Sequence, residues 1–238
     1  MKVQAQRAEV NSKHAVPAII RGWFAQARMI FALWSLSATI ALAYSGEITV
    51  GDRALVVSGV LARGDFDKFK RLLESNEGVR RIIFQNCYGG ATDEGARIAE
   101  FIRQRKMHTF AKSQVQSSCA FAFLAGDRRQ FDAGFGAHLI LLHGAHNEDP
   151  LNDVASRVNE ILIPYIESLS HKKMPPLISR LILQSSQPGQ GVVFVQKNWL
   201  IARMHETLYC DGTRRSLAEC RSLSQFDALQ LGIVTEVE

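Results

Sequence analysis

The chain has 238 residues, of which 47% are hydrophobic and 21% are charged. This length and composition are sufficient for one large domain with a buried core, and they exclude a mainly disordered chain. The formal net charge is +5 at pH 7, but part of it lies before residue 29, and no basic patch interleaved with aromatic residues follows. We therefore expect no nucleic-acid partner.

The first segment of the chain has the pattern of an export signal. A positively charged region ends at Arg28, and the uncharged stretch 29–43 follows it. That stretch has about the length of a signal-peptide core and is shorter than the roughly 20 apolar residues of a membrane span. Ala41 and Ala43 supply small residues where a signal peptidase reads. We predict that residues 1–44 are a cleaved signal or an uncleaved membrane anchor. In both cases residues 45–238 are exported. The alternative is a buried or interfacial helix.

Apolar runs and helical patterns alternate along the next hundred residues. The predicted strands are 48–50, 54–57, 79–84, 109–111, an edge strand near 129–131, and 138–142. The predicted helices are 65–74, 92–106 and one that begins at Ser117, with apolar residues at helical spacing. Repeated alternation of this kind predicts an α/β domain with a largely parallel sheet.

The C-terminal part of the chain has a more helical pattern. We predict helices at 153–169, 176–183 and 199–209, and a loop at 185–191, which is rich in Ser, Gln, Gly and Pro. A short helix at 223–232 with a glycine stop and a terminal strand at 233–237 complete the pattern. No internal repeat and no second domain after residue 45 are evident.

Three polar or glycine-rich features follow predicted strands. The pair Gly89-Gly90 follows the strand at 79–84, Ser117 and Ser118 open a helix, and His143 ends the strand at 138–142. In α/β sheets, sites form at the carboxyl ends of strands, so these features can share one edge of the sheet. A serine nucleophile, a histidine base and glycine N–H groups for an oxyanion are the parts of a serine hydrolase site.

Each of these features also has an ordinary structural interpretation, as a turn, a helix cap or a buried histidine, so the combination carries the argument. His138 and His143 are an odd number of positions apart, so on one strand they face opposite sides and only one can meet the serine. The position at the strand end favours His143. His146, in the loop beyond, is a weaker alternative base.

The four cysteines fit an oxidising compartment. Cys210 and Cys220 bracket a short polar loop, which favours a disulfide between them, with two free thiols as the alternative. Cys87 and Cys119 lie beside the candidate site elements. They can be small core residues, and the sequence alone does not pair them.

At these residues the chain resembles the Clp protease family, within the larger Clp/crotonase fold. Region 83–102 is similar to that family's strand, glycine turn and helix, although Cys87 and Tyr88 replace the Ser and Pro of its Asn-Ser-Pro-Gly-Gly pattern. Ser117, nine residues before Gly126, falls where the family has its nucleophile, and His143, 26 residues later, where it has its base. The similarity spans residues 46–238, and region 223–234 resembles the family's closing helix and strand.

The resemblance implies a carboxylate ahead of the closing helix. Glu206, Asp211 and Glu219 stand in that stretch. Glu219 has the best spacing, Asp211 is the alternative acid, and a Ser–His dyad without an acid is a further alternative. The closest resemblance is to exported, stand-alone Clp-like proteins of Gram-negative bacteria. Those proteins often carry a Cys just after the Ser, as this chain does at Cys119. The resemblance implies a periplasmic location.

We therefore predict an exported serine peptidase in which Gly90 and Ser118 supply the oxyanion N–H groups. No metal or organic cofactor is implied; the expected partners are a peptide or protein substrate and, from the resemblance, further copies of the chain in a homo-oligomer. Contact with a membrane would be made only through an uncleaved N-terminal segment. The alternatives are a non-catalytic binding or assembly module of the same fold, a crotonase-type acyl-CoA enzyme, which export argues against, and a Ser–Lys peptidase using Lys106 or Lys112.

Overall fold

The computed structural model describes residues 46–145, 154–187, 189–198, 203–212 and 216–236. The predicted export segment and His146 lie outside the described residues. Within the described ranges, no helix is both long enough and apolar enough to cross a membrane.

Strands and helices alternate through the first half of the described chain. The strands are β1 (Glu47–Gly51), β2 (Ala54–Leu61), β3 (Arg81–Gly90), β4 (His108–Gln116), β5 (Arg128–Phe131) and β6 (Gly136–Leu142). The helices are α1 (Asp65–Glu74), α2 (Thr92–Gln104) and α3 (Ser117–Leu124). The second half contains α4 (Val154–Ser170), α5 (Pro176–Gln184), β7 (Gln190–Asn198), β8 (Arg203–Asp211), a 3-10 turn (Leu217–Glu219) and β9 (Arg221–Ser222).

The described strands form one sheet in the order β1-β2-β3-β4-β6-β7-β8-β9, with β5 paired to β4 outside this path. Its centre is parallel, because helical crossovers join β2, β3, β4 and β6, and β5 is also parallel to β4. Antiparallel pairs extend the sheet at both ends. The predicted α/β class with a parallel sheet core and C-terminal helices is confirmed.

The helices pack on the sheet through the apolar faces that the sequence predicts. In α1, Phe69 and Leu73 are buried, and in α2 Ile98 and Ile102 are fully buried. Helix α3 is different, because seven of its eight residues are buried. A helix that is apolar on all sides is buried in a core. Ser117 is the first residue of this helix and the only one of the eight that is not buried.

The hairpin of β7 and β8 was not predicted, and the helix predicted at 199–209 is wrong over its described residues. Residues 203–211 form β8, which pairs antiparallel with β7 from Asn198↔Arg203 to Gln190↔Asp211. Val192, Val193, Phe194 and Val195 are all buried, so β7 has apolar side chains on both faces and shows no alternation. The predicted loop at 185–191 ends early, since Gln190 and Gly191 already belong to β7.

The closing segment also differs from the prediction. Residues 223–232 form successive turns rather than a helix, and the described residues 233–236 are not a strand. The Asp227 carboxylate accepts hydrogen bonds from the N–H groups of Leu229 (2.8 Å) and Gln230 (3.2 Å). This is the pattern of an N-cap, so a turn begins at Asp227 and no helix runs through it from residue 223.

The predicted disulfide between Cys210 and Cys220 is confirmed, with an S–S distance of 2.06 Å. It closes the loop between β8 and β9. A second disulfide, between Cys87 and Cys119, joins the end of β3 to α3. The sequence did not predict this pairing, because the two cysteines belong to different strand–helix units and only the parallel pairing of β3 with β4 brings them together.

Candidate active site

Ser117 lies at the junction of β4 and α3, in a backbone conformation that is unusual for a residue with a side chain. Its φ is +53°, while Gln116 before it is extended at φ −134°. A serine on a sharp, strained strand-to-helix turn exposes its hydroxyl above the sheet. A positive φ at a residue other than glycine costs about 1–3 kcal/mol and often occurs at functional sites.

Ser117 and His143 line the same cavity, which has a volume of about 220 Å³. Gly90 and Thr92, from the end of β3 and the start of α2, form one wall, and Phe121 of α3 contributes another. The remaining lining residues are Gly144, Ala145, Val158 and Leu162. Three of the features that the sequence predicted to meet are therefore brought together at the carboxyl ends of parallel strands.

Ser118 has a different environment from its neighbour. Its side chain is 1% exposed, and its hydroxyl has no hydrogen-bond partner in the part of the chain that the structure describes. It packs against Gly95 of α2, where an added Cβ would lie 2.7 Å from the Cβ of Ser118. Its amide is among the first N–H groups of α3, which α-helical geometry leaves without an acceptor inside the helix.

The two glycines at the end of β3 are required by space as well as by conformation. Gly89 has φ +90°, and a Cβ there would lie 2.5 Å from the Cβ of Ser117 and 3.0 Å from its Oγ. Gly90 has φ +117°, and a Cβ there would overlap the carbonyl oxygen of Leu61 in β2. The end of β3 can therefore approach Ser117 closely only because position 89 lacks a side chain, and it can approach β2 closely only because position 90 does.

The Cys87–Cys119 disulfide holds this backbone against α3. Both cysteines are fully buried. The Gly89 N–H donates to the Sγ of Cys119 at 3.2 Å, so this amide is directed at the disulfide. The end of β3, which contains Gly89 and Gly90, is thus covalently linked to α3, which begins at Ser117.

His143 follows β6 directly, and its Nδ1 lies 2.6 Å from the carbonyl oxygen of Gly144. A carbonyl only accepts, so Nδ1 carries the proton in this contact and the lone pair of a neutral ring is on Nε2. His138 is buried inside the fold instead. Its Nδ1 accepts the Ser113 N–H at 3.0 Å, and its Nε2 donates to the carbonyl of Gly134 at 2.9 Å, which gives this ring a structural role.

The carboxylates predicted as the acid do not line the cavity. Glu219 is exposed in the 3-10 turn, where it accepts a hydrogen bond from the Ser216 hydroxyl at 3.2 Å. Asp211 ends β8, and β7 lies between β8 and β6 in the sheet, so its backbone is roughly 10 Å from the strand that leads to His143. Glu206, the third carboxylate of this stretch, forms an ion pair with Lys197 at 2.9 Å.

Sequence reasoning missed Asn159, which lies on α4 beside the residues after His143. Its Oδ1 accepts the Ala145 N–H at 2.8 Å, and its Nδ2 donates to the Ala145 carbonyl at 3.2 Å. The only signal in the sequence is an amide within the helical pattern at 153–169, three residues before Leu162. That signal is weak, because polar residues are common on amphipathic helices.

A second, apolar cavity of about 150 Å³ adjoins the first. Thr92, Phe121, Val158 and Leu162 line both cavities, and the rest of the second lining is Ala96, Ile161 and Tyr165. Phe121 and Tyr165 make an edge-to-face contact at 6.2 Å between ring centroids.

The phenol of Tyr165 in this lining is neutral at physiological pH. Burial raises its pKa most, the charge of Glu100 raises it further, and the charge of Arg103 lowers it. Ile161 is 64% exposed.

The described residues contain no group of three or more His, Cys, Asp or Glu side chains that could hold a metal ion. The arrangement at the cavity offers a hydroxyl, an imidazole and main-chain amides.

No family model matches the chain, and no curated protein matches it. Among solved structures it is similar to a mutant of the 1510-N membrane-bound stomatin-specific protease, with 14% identity over 76% of this chain and 75% of that chain and a TM-score of 0.42. Another mutant of that protease, in complex with a substrate peptide, gives 14% identity over 76% of this chain and 71% of that chain, with a TM-score of 0.41. An enoyl-CoA hydratase from Shewanella pealeana gives 11% identity over 81% of this chain and 68% of that chain, with a TM-score of 0.39.

These structures are proteins of the Clp/crotonase fold, which contains both proteases and acyl-CoA enzymes. At such identities and TM-scores, the likeness says nothing about which residues act or on what substrate.

Proposed function

We propose that this protein is an exported, Clp-like serine peptidase with Ser117 as nucleophile and His143 as general base. The observation that carries the proposal is that a serine with positive φ at a strand–helix junction shares one cavity with a histidine and a glycine-ended strand. Strain of this kind is retained where the surrounding structure demands it, and such sites are frequently catalytic. The choice of Ser117 over Ser118 is supported by the burial of the Ser118 hydroxyl against α2.

In the proposed reaction, the Oγ of Ser117 attacks the carbonyl carbon of a peptide bond while Nε2 of His143 takes the hydroxyl proton. The N–H groups of Gly90 and Ser118 stabilise the oxyanion, and the dipole of α3 adds a favourable field at Ser118. His143 then gives the proton to the leaving amine, and water hydrolyses the acyl-enzyme by the same route. Each oxyanion donor is worth about 10²–10³ in turnover.

The apolar cavity beside the site supports a preference for peptides with an apolar side chain next to the scissile bond. Burial of such a side chain among Phe121, Leu162 and Tyr165 would remove apolar surface from water, at about 25 cal/mol per Å². A charged side chain would have no partner there, because the lining is almost wholly apolar.

Export and assembly complete the proposal. Two disulfides in a chain of this size support an oxidising compartment such as the periplasm, and the pattern of residues 1–44 supports passage through the inner membrane. A homo-oligomer remains an expectation from the resemblance, and light scattering on the purified full chain tests it.

The test of the function is covalent labelling. The full chain should react with a fluorophosphonate probe, Ser117→Ala should lose the label, and the matched Ser118→Ala variant should retain it. Peptides with a large apolar residue before the cleaved bond should be hydrolysed faster than the same peptides with Asp there. Equal labelling of the wild type and Ser117→Ala would rule out Ser117 as the nucleophile.

A second candidate function is a non-catalytic binding module of the same fold. The observation that favours it is the position of Glu219 and Asp211 away from the cavity. It predicts that apolar peptides bind the wild type, that neither the wild type nor Ser117→Ala is labelled, and that bulky substitutions of Leu162 prevent binding.

A further inference from the structure

We propose that Asn159 is a positioning residue that holds the main-chain carbonyl of Gly144 against Nδ1 of His143, so that this carbonyl selects the Nδ1–H tautomer of the ring. The expected loss of turnover rests on the proposed function. The tautomer of His143 can be measured whether or not the protein is an enzyme.

The first step is the contact between His143 and Gly144. The Nδ1–H of His143 donates to the Gly144 carbonyl at 2.6 Å. A histidine base must carry its proton on the nitrogen that faces away from the serine, because the other nitrogen has to accept the hydroxyl proton. The Gly144 carbonyl selects the Nδ1–H tautomer, which leaves Nε2 of His143 able to accept a proton.

The second step is what keeps this carbonyl in place. Asn159 binds both polar groups of Ala145, accepting from its N–H at 2.8 Å and donating to its carbonyl at 3.2 Å. A backbone N–H only donates and a carbonyl only accepts, so the two contacts assign the orientation of the Asn159 amide without ambiguity. The Ala145 N–H belongs to the same peptide as the Gly144 carbonyl, so Asn159 attaches that peptide to α4 directly and holds the next peptide as well.

The third step concerns the preceding peptide, which joins His143 to Gly144. The Gly144 N–H donates to the Ser185 carbonyl at 2.9 Å, and Ser185 is fully buried, with its hydroxyl donating to Leu181 at 2.6 Å. A Cβ at Gly144 would lie 3.0 Å from the carbonyl oxygen of Leu183 and 3.2 Å from Oδ1 of Asn159. Asn159 of α4 and the residues at the end of α5 thus contact the segment after His143, and they leave little space for a side chain at position 144.

Loss of the Asn159 amide should therefore release the Gly144 carbonyl and the imidazole with it. A base displaced by about 1 Å can lose on the order of 10²-fold in rate. By contrast, if a carboxylate of residues 203–222 oriented His143, its removal would cost about 10⁴. The two outcomes are far enough apart to be separated by turnover measurements.

The primary experiment reads the tautomer directly. In the full chain labelled with ¹⁵N-histidine, at a pH where imidazole is neutral, the signals lost in His143→Gln identify the ring of His143. We expect Nδ1 protonated and Nε2 unprotonated in the wild type, and a mixture of tautomers in Asn159→Ala. Asn159→Asp keeps the acceptor for the Ala145 N–H and should remain closer to the wild type. Asn76→Ala, which loses a hydrogen bond to Leu72 far from the site, is the matched control and should leave the signals unchanged.

The second measurement is turnover per labelled site. Asn159→Ala should lower kcat 10- to 100-fold with KM unchanged, with partial recovery in Asn159→Asp, whereas Glu219→Gln and Asp211→Asn should stay within twofold of the wild type. A wild-type His143 with its proton on Nε2, or a tautomer unaffected by Asn159→Ala, would overturn the inference even in an active enzyme. Absence of probe labelling in the wild type would contradict the proposed function and leave the tautomer result to decide the positioning role.

Discussion

At the scale of single residues, Ser117 combines a strained backbone with a demanding neighbour. Its φ is +53°, and Gly89 lies so close to it that a side chain at position 89 would overlap the Cβ of Ser117. A serine occupies a position where glycine would be free of strain. The strain at Ser117 agrees with the catalytic role that we propose for its hydroxyl.

This strain leads to a prediction about stability. Ser117→Gly should raise the free energy of unfolding above that of Ser117→Ala by about 1 kcal/mol, because glycine adopts positive φ without penalty. Ser118 is the matched control, since it lies within α3, where Ser118→Gly should be less stable than Ser118→Ala by about 0.5–1 kcal/mol. Chemical denaturation of the four variants gives both differences. The same order of stability at the two positions would contradict the strain at Ser117.

At the scale of elements, the Cys87–Cys119 disulfide links the strand that carries the glycine pair to the helix that carries Ser117. The strand β3 ends at Gly90 and α3 begins at Ser117, so the two oxyanion amides that we propose belong to different elements. The disulfide joins these elements through Cys87 and Cys119, which are close in sequence to the two amides, and Sγ of Cys119 accepts a hydrogen bond from the Gly89 N–H.

We expect the two disulfides to differ in their effect on catalysis. Cys87→Ala combined with Cys119→Ala should lower kcat at least 10-fold, because the relative position of the Gly90 and Ser118 amides is relaxed. Cys210→Ala combined with Cys220→Ala should leave kcat within twofold. The first bridge spans 32 residues and the second 10, so the first should also contribute about 1 kcal/mol more to stability. Equal kcat in the two double variants would show that the first bridge is not needed at the site.

At the scale of the whole molecule, Arg129 connects three parts of the chain that are far apart in sequence. Its guanidinium donates to the carbonyls of Gly126 at 2.7 Å, Gly232 at 2.9 Å and Ser170 at 3.4 Å. The ends of α3 and α4 and the closing turns therefore share one buried cation. Burial lowers its pKa to about 10, opposed by the charge of Asp127, so Arg129 stays charged at neutral pH.

Removal of this cation should destabilise the fold as a whole. Arg129→Met should lower the free energy of unfolding by about 3 kcal/mol or more, because it leaves buried carbonyls without donors. Arg128→Met, beside it, loses only an exposed ion pair with Glu236 and should cost less than about 1 kcal/mol. Denaturation curves recorded with the same probe for both variants give the two values.

The pH dependence of the Arg129 effect follows from its lowered pKa. The folded pKa of about 10 lies below the ordinary value of an arginine. The cost of burying the charge is therefore complete below pH 10 and fades only as the pH rises above 10. The difference between wild type and Arg129→Met should thus be the same at pH 6 and pH 8.5, and a change across that range would contradict this assignment.

The amino-acid sequence determined the parts of the molecule that depend on local periodicity and on short spacings. The strands and helices from residue 47 to residue 142 follow patterns of apolar residues that can be read along the chain, and the Cys210–Cys220 bridge closes a short loop. The features that we predicted to share a sheet edge, Gly90, Ser117 and His143, do so because parallel strands joined by helices present their carboxyl ends on one side.

Only the tertiary structure decided the features whose partners are distant in sequence. The β7–β8 hairpin depends on a pairing that buries both faces of β7, which leaves no alternating pattern in its residues. The Cys87–Cys119 bridge depends on the register of β3 with β4. Nδ1 of His143 contacts a main-chain carbonyl, a group that every residue possesses. A carbonyl becomes an orienting group only through the contacts that hold it, here those of Asn159 and Ser185, and no sequence pattern encodes such contacts.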